Sequence, residues 1–285
     1  FSRNMPTKSK VKNMFDSIAG DYDSLNHILS LDVDKIWRRR ALKRIVDAPA
    51  PVRVLDLACG TGDFSIAIAK ALSGPLNLSK RLDSEEAAFR QAQRPTHAVT
   101  EPVKVTGASV VGEPSRTTSS ATGSHVTGVD LSEGMLAVMR EKVGKAGLAD
   151  MISIEEGDGE ALRFPDNTFD RVTIAFGIRN FENREKGLRE MLRVLKPGGR
   201  LVILELSRPE NKIIRWFYDL YFLHILPKIG GKVSGDKAAY AYLPASVAAF
   251  PGKKEFSATM RKAGFRAVTH KAFTLGICRM YTGEK

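Results

Sequence analysis

The sequence contains little cysteine and no long apolar segment. Cys59 and Cys278 are its 2 cysteines, too few for a disulfide framework and without zinc-ligand spacing, so we expect a reducing compartment and no metal site. No apolar run reaches the roughly 18 residues expected of a membrane-spanning helix. The polar, basic N-terminal segment lacks the apolar region of a secretory signal, so export by that route is not expected.

The composition is that of an ordinary globular chain. It has 285 residues, of which 43% are hydrophobic and 27% are charged, enough for one large α/β domain or two small ones. The formal net charge is +12, and the basic excess lies in the flanks at 1–50 and 208–285. Such an excess fits a solvated surface, an anionic membrane surface or nucleic acid, and charge alone does not choose among them.

Short apolar runs alternate with helical periodicity through most of the chain. The predicted strands lie at 52–57, 126–130, 151–154, 169–176 and 201–206, and the predicted helices at 64–72, 133–146, 184–195 and 253–263. We also predict helices over 11–47, a turn at 196–199, and a closing hairpin at 266–274 and 276–282. This alternation predicts an α/β fold whose parallel sheet is covered by helices on both faces. We therefore expect a helical cap at 1–50 and an α/β domain at 51–285.

One segment interrupts this alternation. Residues 73–124 are rich in Ser, Thr, Pro, Gly and Ala, with few large apolar residues after Phe89. Such a composition cannot bury enough apolar surface to offset the entropy of ordering. We expect a disordered insertion here, apart from a short helix near 83–93.

The strongest local motif is Asp56-Leu57-Ala58-Cys59-Gly60-Thr61-Gly62-Asp63, between a predicted strand and a predicted helix. Glycines at this place let a ligand approach the backbone, and the helix N-terminus adds hydrogen-bond donors. A dinucleotide site would have a third glycine where this chain has Ser65, and Asp63 puts a carboxylate where a pyrophosphate would bind. These features favour S-adenosyl-L-methionine, a cation without phosphate; a plain strand-to-helix turn is the alternative.

Two further carboxylates follow predicted strands. Asp130 ends the strand at 126–130 and could accept hydrogen bonds from both ribose hydroxyls of such a ligand; capping the next helix is the alternative. Asp158 follows the strand at 151–154 and is placed to meet the adenine edge, with a simple turn as the alternative. Ligands of open α/β sheets bind at the carboxyl ends of the strands, so we expect both acids to share one site with the glycine loop.

With these motifs in place, the sequence resembles the ubiquinone/menaquinone biosynthesis C-methyltransferases over nearly all of the chain except 73–124. The matching segments are 11–19 with 22–26, the glycine loop, 164–170, 176–180, 193–199, and 242–246 with Phe250-Pro251. Phe176-Gly177-Ile178-Arg179-Asn180 and the segment 22–26 are the most particular to this family. The glycine loop and Lys196-Pro197-Gly198-Gly199 are shared by many methyltransferases.

The resemblance implies a class I S-adenosyl-L-methionine-dependent methyltransferase, with a Rossmann-like, doubly wound, mainly parallel seven-stranded sheet and a C-terminal antiparallel strand. It implies methylation of a ring carbon of a polyprenylated hydroquinone: demethylmenaquinol, the methoxy-polyprenyl-benzoquinol precursor of ubiquinone, or both. The residues that would contact the cofactor are Asp56, Gly60, Thr61, Gly62, Asp130, Asp158, Gly159 and Ala175. Some family members have serine at the position of Ala175.

C-methylation needs a ring made nucleophilic by deprotonation of a hydroquinol hydroxyl. We expect Arg179 and Asn180, just past the fourth strand, to lie where the substrate meets the methyl group. Because the pKa of arginine exceeds about 12, Arg179 is a poor base, and we expect it to stabilise the phenolate or to orient a water that takes the proton. The alternative is a structural ion pair with Glu182 or Glu185.

Side chains outside that loop complete the predicted site. Tyr22, Asn26 and His27 lie on a predicted helical segment that could cover the pocket, with Tyr22 and Asn26 against the substrate and Tyr22 also a candidate catalytic residue. His27 is a candidate base near neutral pH, although a single helical histidine is more often structural. The resemblance adds Tyr242 as a substrate contact.

The segment 213–229 carries an apolar stripe that includes Trp216 and Phe217 and is flanked by Lys212 and Arg215. Core packing is one interpretation; the other is an interfacial helix that touches lipid and receives the polyprenyl tail. The expected partners are a lipid quinol and a membrane surface, without nucleic acid, and a homodimer is left open. We expect a cytoplasmic, peripherally membrane-associated protein, or one of the mitochondrial matrix in a eukaryote.

Three other functions stay open from the sequence. The basic charge suggests a nucleic-acid methyltransferase as the first alternative. However, amino-group methylases usually have Asn/Asp-Pro-Pro-Tyr/Phe where this chain has Phe176-Gly177-Ile178-Arg179. Neither cysteine is placed for carbon-5 methylation. A methyltransferase of sterols or other phenols is the second, and a non-catalytic partner that keeps the fold is the third. Overall similarity to bacterial members favours a menaquinone precursor, without separating it from a ubiquinone one.

Overall fold

The computed structural model describes residues 7–20, 22–23, 33–47, 51–74, 123–221 and 237–285. Asn26, His27 and the helix expected near 83–93 lie outside the described residues. The same holds for most of the expected insertion and for the part of the apolar stripe after Tyr221.

The described elements follow the alternation expected from the sequence. In chain order they are α1 (Lys8–Ile18), α2 (Val33–Leu42), β1 (Arg53–Leu57), α3 (Asp63–Ser73), β2 (His125–Asp130), α4 (Glu133–Lys145), β3 (Ile152–Glu156), β4 (Phe169–Ala175), α5 (Arg184–Val194), β5 (Leu195–Leu206), α6 (Lys212–Leu220), α7 (Lys237–Ala249), α8 (Lys253–Lys262), β6 (Arg266–Phe273) and β7 (Cys278–Glu284). Short 3₁₀ turns lie at Ile178–Asn180 and Thr274–Gly276. None of the helices in the described part of the chain has the length and apolar character needed to cross a membrane.

Within the described residues, seven strands form one sheet in the order β3-β2-β1-β4-β5-β7-β6. The strands β1 to β5 pair in parallel, and β7 runs antiparallel between β5 and β6. The predicted doubly wound, mainly parallel sheet with a C-terminal antiparallel strand is therefore confirmed, as is the closing hairpin. The strand order reverses between β1 and β4, and such a switch point opens a crevice at the carboxyl ends of the two strands.

The centre of the sheet is buried on both faces. In β1, Val54 packs with α2, α3 and α4, whereas Leu55 and Leu57 pack with α5 and α8 on the other face. All three side chains are fully buried, and burial of such a side chain stabilises the fold by about 1.5–3 kcal/mol. Because successive strand residues point to opposite faces, apolar side chains at neighbouring positions, such as Val54 and Leu55, suit a strand covered on both sides.

Specific polar contacts fix α1 and α2 to the sheet and its helices. Asp16 of α1 accepts hydrogen bonds from the Ser132 hydroxyl and the Gly134 amide at the N-terminus of α4, where the helix dipole favours a carboxylate. In α2, the buried Trp37 donates its indole N–H to Thr274 Oγ1 over 2.9 Å. The contact with α4 brings α1 to the carboxyl edge of the sheet. A separate cap domain at 1–50 stays a prediction.

The predicted turn at 196–199 is wrong. Strand β5 continues through these residues, and its register with β4 shifts there as a bulge. Gly198 takes a left-handed φ of 74°, and Gly199 accepts a hydrogen bond from the Lys285 amide over 3.1 Å. The glycines do bend the chain, but pairing with the C-terminal residue keeps the bend inside the strand.

Candidate active site

The main cavity opens at the carboxyl ends of β1, β2, β3 and β4. Its volume is about 760 Å³, part of it open to solvent. The predicted cofactor residues that line it are Gly60, Asp130, Asp158, Gly159 and Ala175. An adjoining cavity of about 400 Å³ is lined by Asp56, Thr61 and again by Gly60 and Ala175. The structure thus brings the strand-end carboxylates and the glycine loop to one place.

Strands β1 and β4 are both followed by a residue with left-handed backbone. Ala58 has a φ of 49°, and Phe176 has a φ of 60°. Such conformations cost about 1–3 kcal/mol outside glycine and cluster at functional sites. The two bends bring the chain segments together, since a Cβ on Gly177 would lie 2.4 Å from the Ala58 Cβ. Only glycine allows this approach.

The two glycines of the loop serve different purposes. Gly60 has a φ of 56°, and its amide donates to Asp130 Oδ2 over 2.8 Å. Gly62 has a φ of 83° and stands at the N-cap of α3, where a Cβ would lie 2.4 Å from Met139 Cγ. Gly62 lines neither of the two cavities. It shapes the loop, and its predicted cofactor contact stays a prediction.

Asp130 is held by backbone amides at the main cavity. Its Oδ1 accepts from the Ser132 amide over 2.9 Å, and its Oδ2 accepts from Gly60. Burial raises the pKa of Asp130, although these amides favour the charged form and oppose the rise. Each oxygen keeps a second lone pair for a ligand hydroxyl. The helix cap of α4 is Ser132, whose hydroxyl accepts from the Met135 amide, so the alternative role of Asp130 as the cap is wrong.

Asp56 is buried at the smaller cavity. The Ser65 hydroxyl donates to its Oδ2 over 2.6 Å, and the Thr173 hydroxyl donates to its Oδ1 over 3.4 Å. Burial raises the pKa of Asp56 to about 7, against the opposing effects of these hydroxyls and of Arg38. Ser65 stands where a dinucleotide site has glycine. Its hydroxyl donates a hydrogen bond to Asp56 that a glycine could not make.

An alternating series of charged side chains runs along the smaller cavity. Asp23 lies 2.7 Å from Lys142, Lys142 contacts Asp63, Asp63 lies 3.0 Å from Arg38, and Arg38 lies 3.3 Å from Asp34. Burial would raise the pKa of Asp63, but Lys142 and Arg38 outweigh it and the pKa is lowered. Two cations therefore already neutralise Asp63. The expectation that its carboxylate would repel a pyrophosphate has no support in this geometry.

Helix α1 forms part of the cavity wall, although no residue of this helix is among the predicted site residues. Lys8 makes ion pairs with Asp158 at 2.7 Å and with Glu160 at 3.0 Å. Val11 and Phe15 line the main cavity beside it. Asp158 also accepts a hydrogen bond from the Glu160 amide over 2.9 Å. Asp158 therefore lines the cavity while it is paired with Lys8.

Arg179 is buried and paired with a carboxylate on the neighbouring strand. It is 5% exposed, its Nη1 lies 2.8 Å from Glu205 Oε1, and it lines neither cavity. Burial alone would lower the pKa of Arg179, but Glu205 outweighs this and the pKa is raised, so the guanidinium stays charged. The alternative ion pair with Glu182 or Glu185 is wrong in its partner.

Asn180 and Tyr242 meet at the main cavity. The Tyr242 hydroxyl donates to Asn180 Oδ1 over 2.8 Å, and Asn180 lines the cavity. Burial raises the pKa of Tyr242, with Arg179 opposing, which keeps the hydroxyl a neutral donor. Tyr22 lines both cavities. The predicted catalytic residue Asn180 thus lies in one region with the predicted substrate residues Tyr22 and Tyr242.

Comparison with known proteins places this geometry in a family. The sequence model of the ubiE/COQ5 methyltransferase family matches residues 4–285. The chain belongs to this family. It is 43% identical over 276 residues to the ubiquinone/menaquinone biosynthesis C-methyltransferase UbiE of Geobacter sulfurreducens, covering 97% of this chain and 88% of that protein. It is 36% identical over 285 residues to a demethylmenaquinone methyltransferase of Bacteroides fragilis, covering 100% and 96%.

Solved structures share the fold of this family member at low sequence identity. The [4+2]-cyclase SpnF superposes with a TM-score of 0.62 at 15% identity, covering 98% of this chain and 97% of that one. A SAM-dependent methyltransferase from Aquifex aeolicus gives 0.50 at 17% identity, covering 86% and 88%. Because one neighbour is a cyclase, the fold alone does not fix the activity. With the family match, the predicted methyltransferase of this fold and its cofactor S-adenosyl-L-methionine are confirmed.

Several residues of the site carry no local sequence signal. They are Lys8, Arg38, Lys142, Phe181 and Glu205, and each meets its partner from a different element. Phe181 explains the need for Gly159, because a Cβ there would lie 2.6 Å from the ring. Within the described part of the chain, no group of His, Cys, Asp and Glu side chains could hold a metal ion.

Proposed function

We propose that this family member transfers a methyl group from S-adenosyl-L-methionine to a ring carbon of a polyprenylated hydroquinone. The substrate is demethylmenaquinol, the methoxy-polyprenyl-benzoquinol precursor of ubiquinone, or both. The observation that carries the proposal is the near-full-length identity of 43% and 36% to relatives named for these reactions. The chemistry of the two cavities supports it.

The residues present fit a donor with a ribose, an adenine and a zwitterionic amino-acid end. Asp130 would accept hydrogen bonds from the ribose hydroxyls, and Asp158 would accept one from the adenine amino group. At the smaller cavity, Arg38 has a buried Nε without a hydrogen-bond partner and would hold the carboxylate of the amino-acid end. Asp56 would favour the ammonium group. The donor, when bound, supplies an electrophilic methyl group on a sulfonium.

At the acceptor end, the chain has to orient a hydroxyl and favour its phenolate. The hydrogen bond from Tyr242 fixes the Asn180 amide, so that its NH₂ group would donate to the acceptor oxygen. Arg179 lines neither cavity, so it would act on this oxygen indirectly, through the 3₁₀ turn that it shares with Asn180. Positioning of the ring carbon against the methyl group would supply much of the rate.

We also propose that helix α6 contacts the membrane and receives the polyprenyl tail. The side chains of Ile213, Trp216 and Phe217 are 70%, 61% and 59% exposed. Their spacing puts them on one face of the helix, and Lys212 and Arg215 lie beside them. An exposed apolar face with neighbouring cations is typical of an interfacial helix on anionic lipid.

Flotation with vesicles that contain anionic lipid tests this contact. The double variant Trp216→Asp, Phe217→Asp should stay at the bottom of the gradient while the unaltered protein floats. The control Lys145→Glu changes the net charge by the same amount at a side chain that is 74% exposed, and it should float. Equal flotation of the double variant would exclude α6 as the contact.

A direct assay tests the methyl transfer itself. The protein is incubated with donor carrying a labelled methyl group and with reduced demethylmenaquinone or the benzoquinol analogue. We expect a product heavier by one methyl group, with the label on a ring carbon by NMR. Binding of S-adenosylhomocysteine without a methylated product from either quinol would contradict the proposed substrate while leaving the donor site intact.

A further inference from the structure

Glu205 is a charged side chain inside the sheet that the steps above do not use. It lies next to the last residue of β5 and is fully buried. A buried carboxylate is tolerated only when it is paired and hydrogen-bonded. Glu205 accepts from Arg179 Nη1 at 2.8 Å, from the Arg179 amide at 3.1 Å and from the Leu206 amide at 2.8 Å. Two of these three bonds come from one residue, through its side chain and its backbone.

Another cation lies close to Glu205, but it has a different partner. Arg279 stands opposite Glu205 in the register of β7. Its Nη2 lies 3.1 Å from Glu210 Oε1. Among the described residues, Arg179 is therefore the cation that forms an ion pair with Glu205.

Arg179, which Glu205 holds in place, contacts the loop at the main cavity in turn. Its Nη1 also donates to the carbonyl of Phe176, the left-handed residue after β4. Asn180 follows in the same 3₁₀ turn, and its amide donates to the Gly177 carbonyl over 3.0 Å. Phe176, Gly177 and Asn180 line the main cavity, whereas Arg179 and Glu205 line neither cavity. Glu205 is therefore linked to the cavity through its hydrogen bonds with Arg179.

We propose that Glu205 is a positioning residue for the methyl transfer. By holding the guanidinium and the amide of Arg179, it sets the loop at 176–180 and so places the Asn180 side chain against the acceptor. It also gives Arg179 a counter-charge, so that the loop is fixed without an uncompensated cation beside a site for a sulfonium. The inference rests on the proposed function, because the acceptor is the hydroquinone.

Three variants separate positioning from a merely structural role. Glu205→Gln removes the charge and keeps the shape, and Glu205→Asp keeps the charge on a shorter side chain. The double variant Arg179→Gln, Glu205→Gln removes both buried charges and serves if the single Gln variant does not fold. The control is Glu210→Gln, which removes a carboxylate that pairs with Arg279 and Lys253 and lines neither cavity.

The measurements are hydrogen exchange of the loop at 176–181, kcat and KM with reduced demethylmenaquinone, and the Kd for S-adenosylhomocysteine. In Glu205→Gln we expect loop amides to exchange about tenfold faster, while amides of β1 to β3 keep their rates. We expect kcat to fall about 100-fold with KM and Kd within about threefold. Glu205→Asp should recover at least about tenfold of kcat, and Glu210→Gln should match the unaltered protein. The double variant should have the same kcat as Arg179→Gln alone.

Unchanged loop exchange and a kcat within about threefold in Glu205→Gln, whatever its melting temperature, would overturn the proposal. A double variant much slower than Arg179→Gln would overturn it too, since Glu205 would then act independently of Arg179. If the unaltered protein binds S-adenosylhomocysteine but methylates neither quinol, the proposed function fails. Loop exchange then still decides whether Glu205 sets the loop.

Discussion

Replacing Asp56 by asparagine should weaken the dependence of the protein's stability on pH. Asp56 is 1% exposed and accepts hydrogen bonds from Ser65 and Thr173. Burial raises its pKa to about 7 despite these bonds, whereas an aspartate in an unfolded chain has a pKa of about 3.9. The folded protein therefore holds this proton more tightly than the unfolded chain does.

The sign and size of the effect follow from the two pKa values. Below about pH 4 the side chain is protonated in both states and its titration does not affect stability. As the pH rises towards about 7, the unfolded chain ionises first, so the free energy of unfolding falls until the folded form ionises as well. A difference of about 3 in pKa corresponds to about 4 kcal/mol, of which about 3 kcal/mol falls between pH 5 and pH 8. The variant Asp56→Asn cannot ionise and should lack this loss.

Thermal unfolding of both proteins across pH 5 to 8 measures the difference. The Tm of Asp56→Asn relative to the unaltered protein should rise by roughly 6–12 °C over this range, at about 2–4 °C per kcal/mol. Asp150→Asn, at an exposed position, is the control and should show no such trend. An altered hydrogen bond with Ser65 adds only a constant offset. A Tm difference that does not change with pH, or that falls as the pH rises, would refute the reasoning.

Two further predictions concern the backbone and the amino-acid end of the donor site. Gly177→Ala should lower the free energy of unfolding by about 1–3 kcal/mol and kcat by about 100-fold, because its Cβ overlaps the Ala58 Cβ; urea unfolding and turnover measure this. Gly144→Ala, where a Cβ meets nothing within 4 Å, should cost neither, and equal effects of the two would contradict the steric argument. Arg38→Gln should weaken the binding of S-adenosylhomocysteine about tenfold. It should weaken the binding of 5′-methylthioadenosine, which lacks the carboxylate, less than about twofold. Calorimetry with both ligands checks this, and equal losses would show that Arg38 does not hold the carboxylate.

The central sheet could be predicted from the sequence because its signals are local. The apolar run at 52–57, the glycines at 60 and 62 and the acids that end or follow β2 and β3 each lie within a few residues of the next element. Parallel strands bring their carboxyl ends to one edge. That rule alone places Asp130 and Asp158 beside Gly60, where the structure has them.

Contacts between distant elements could not be predicted in this way. The partner of Asp158 is Lys8, 150 positions away, and the partner of Arg179 is Glu205 rather than a nearby glutamate. The sequence pattern around a lysine in an N-terminal helix, or around a glutamate in a strand, does not predict which distant residue will be its ion-pair partner. The sequence predicts a turn at Gly198 because the pairing with Lys285, which keeps this bend inside a strand, is equally remote.

Calorimetric titration with S-adenosylhomocysteine most directly tests whether Asp130 receives the ribose of the donor. The unaltered protein and the control Asp150→Ala should bind it with the same affinity. Asp130→Ala should bind it with about 3 kcal/mol less binding free energy, roughly a 100-fold larger Kd, because two hydrogen bonds to a charged acceptor disappear. The absence of binding heat in the unaltered protein, or equal affinity in Asp130→Ala, would contradict the assignment of this cavity to the methyl donor.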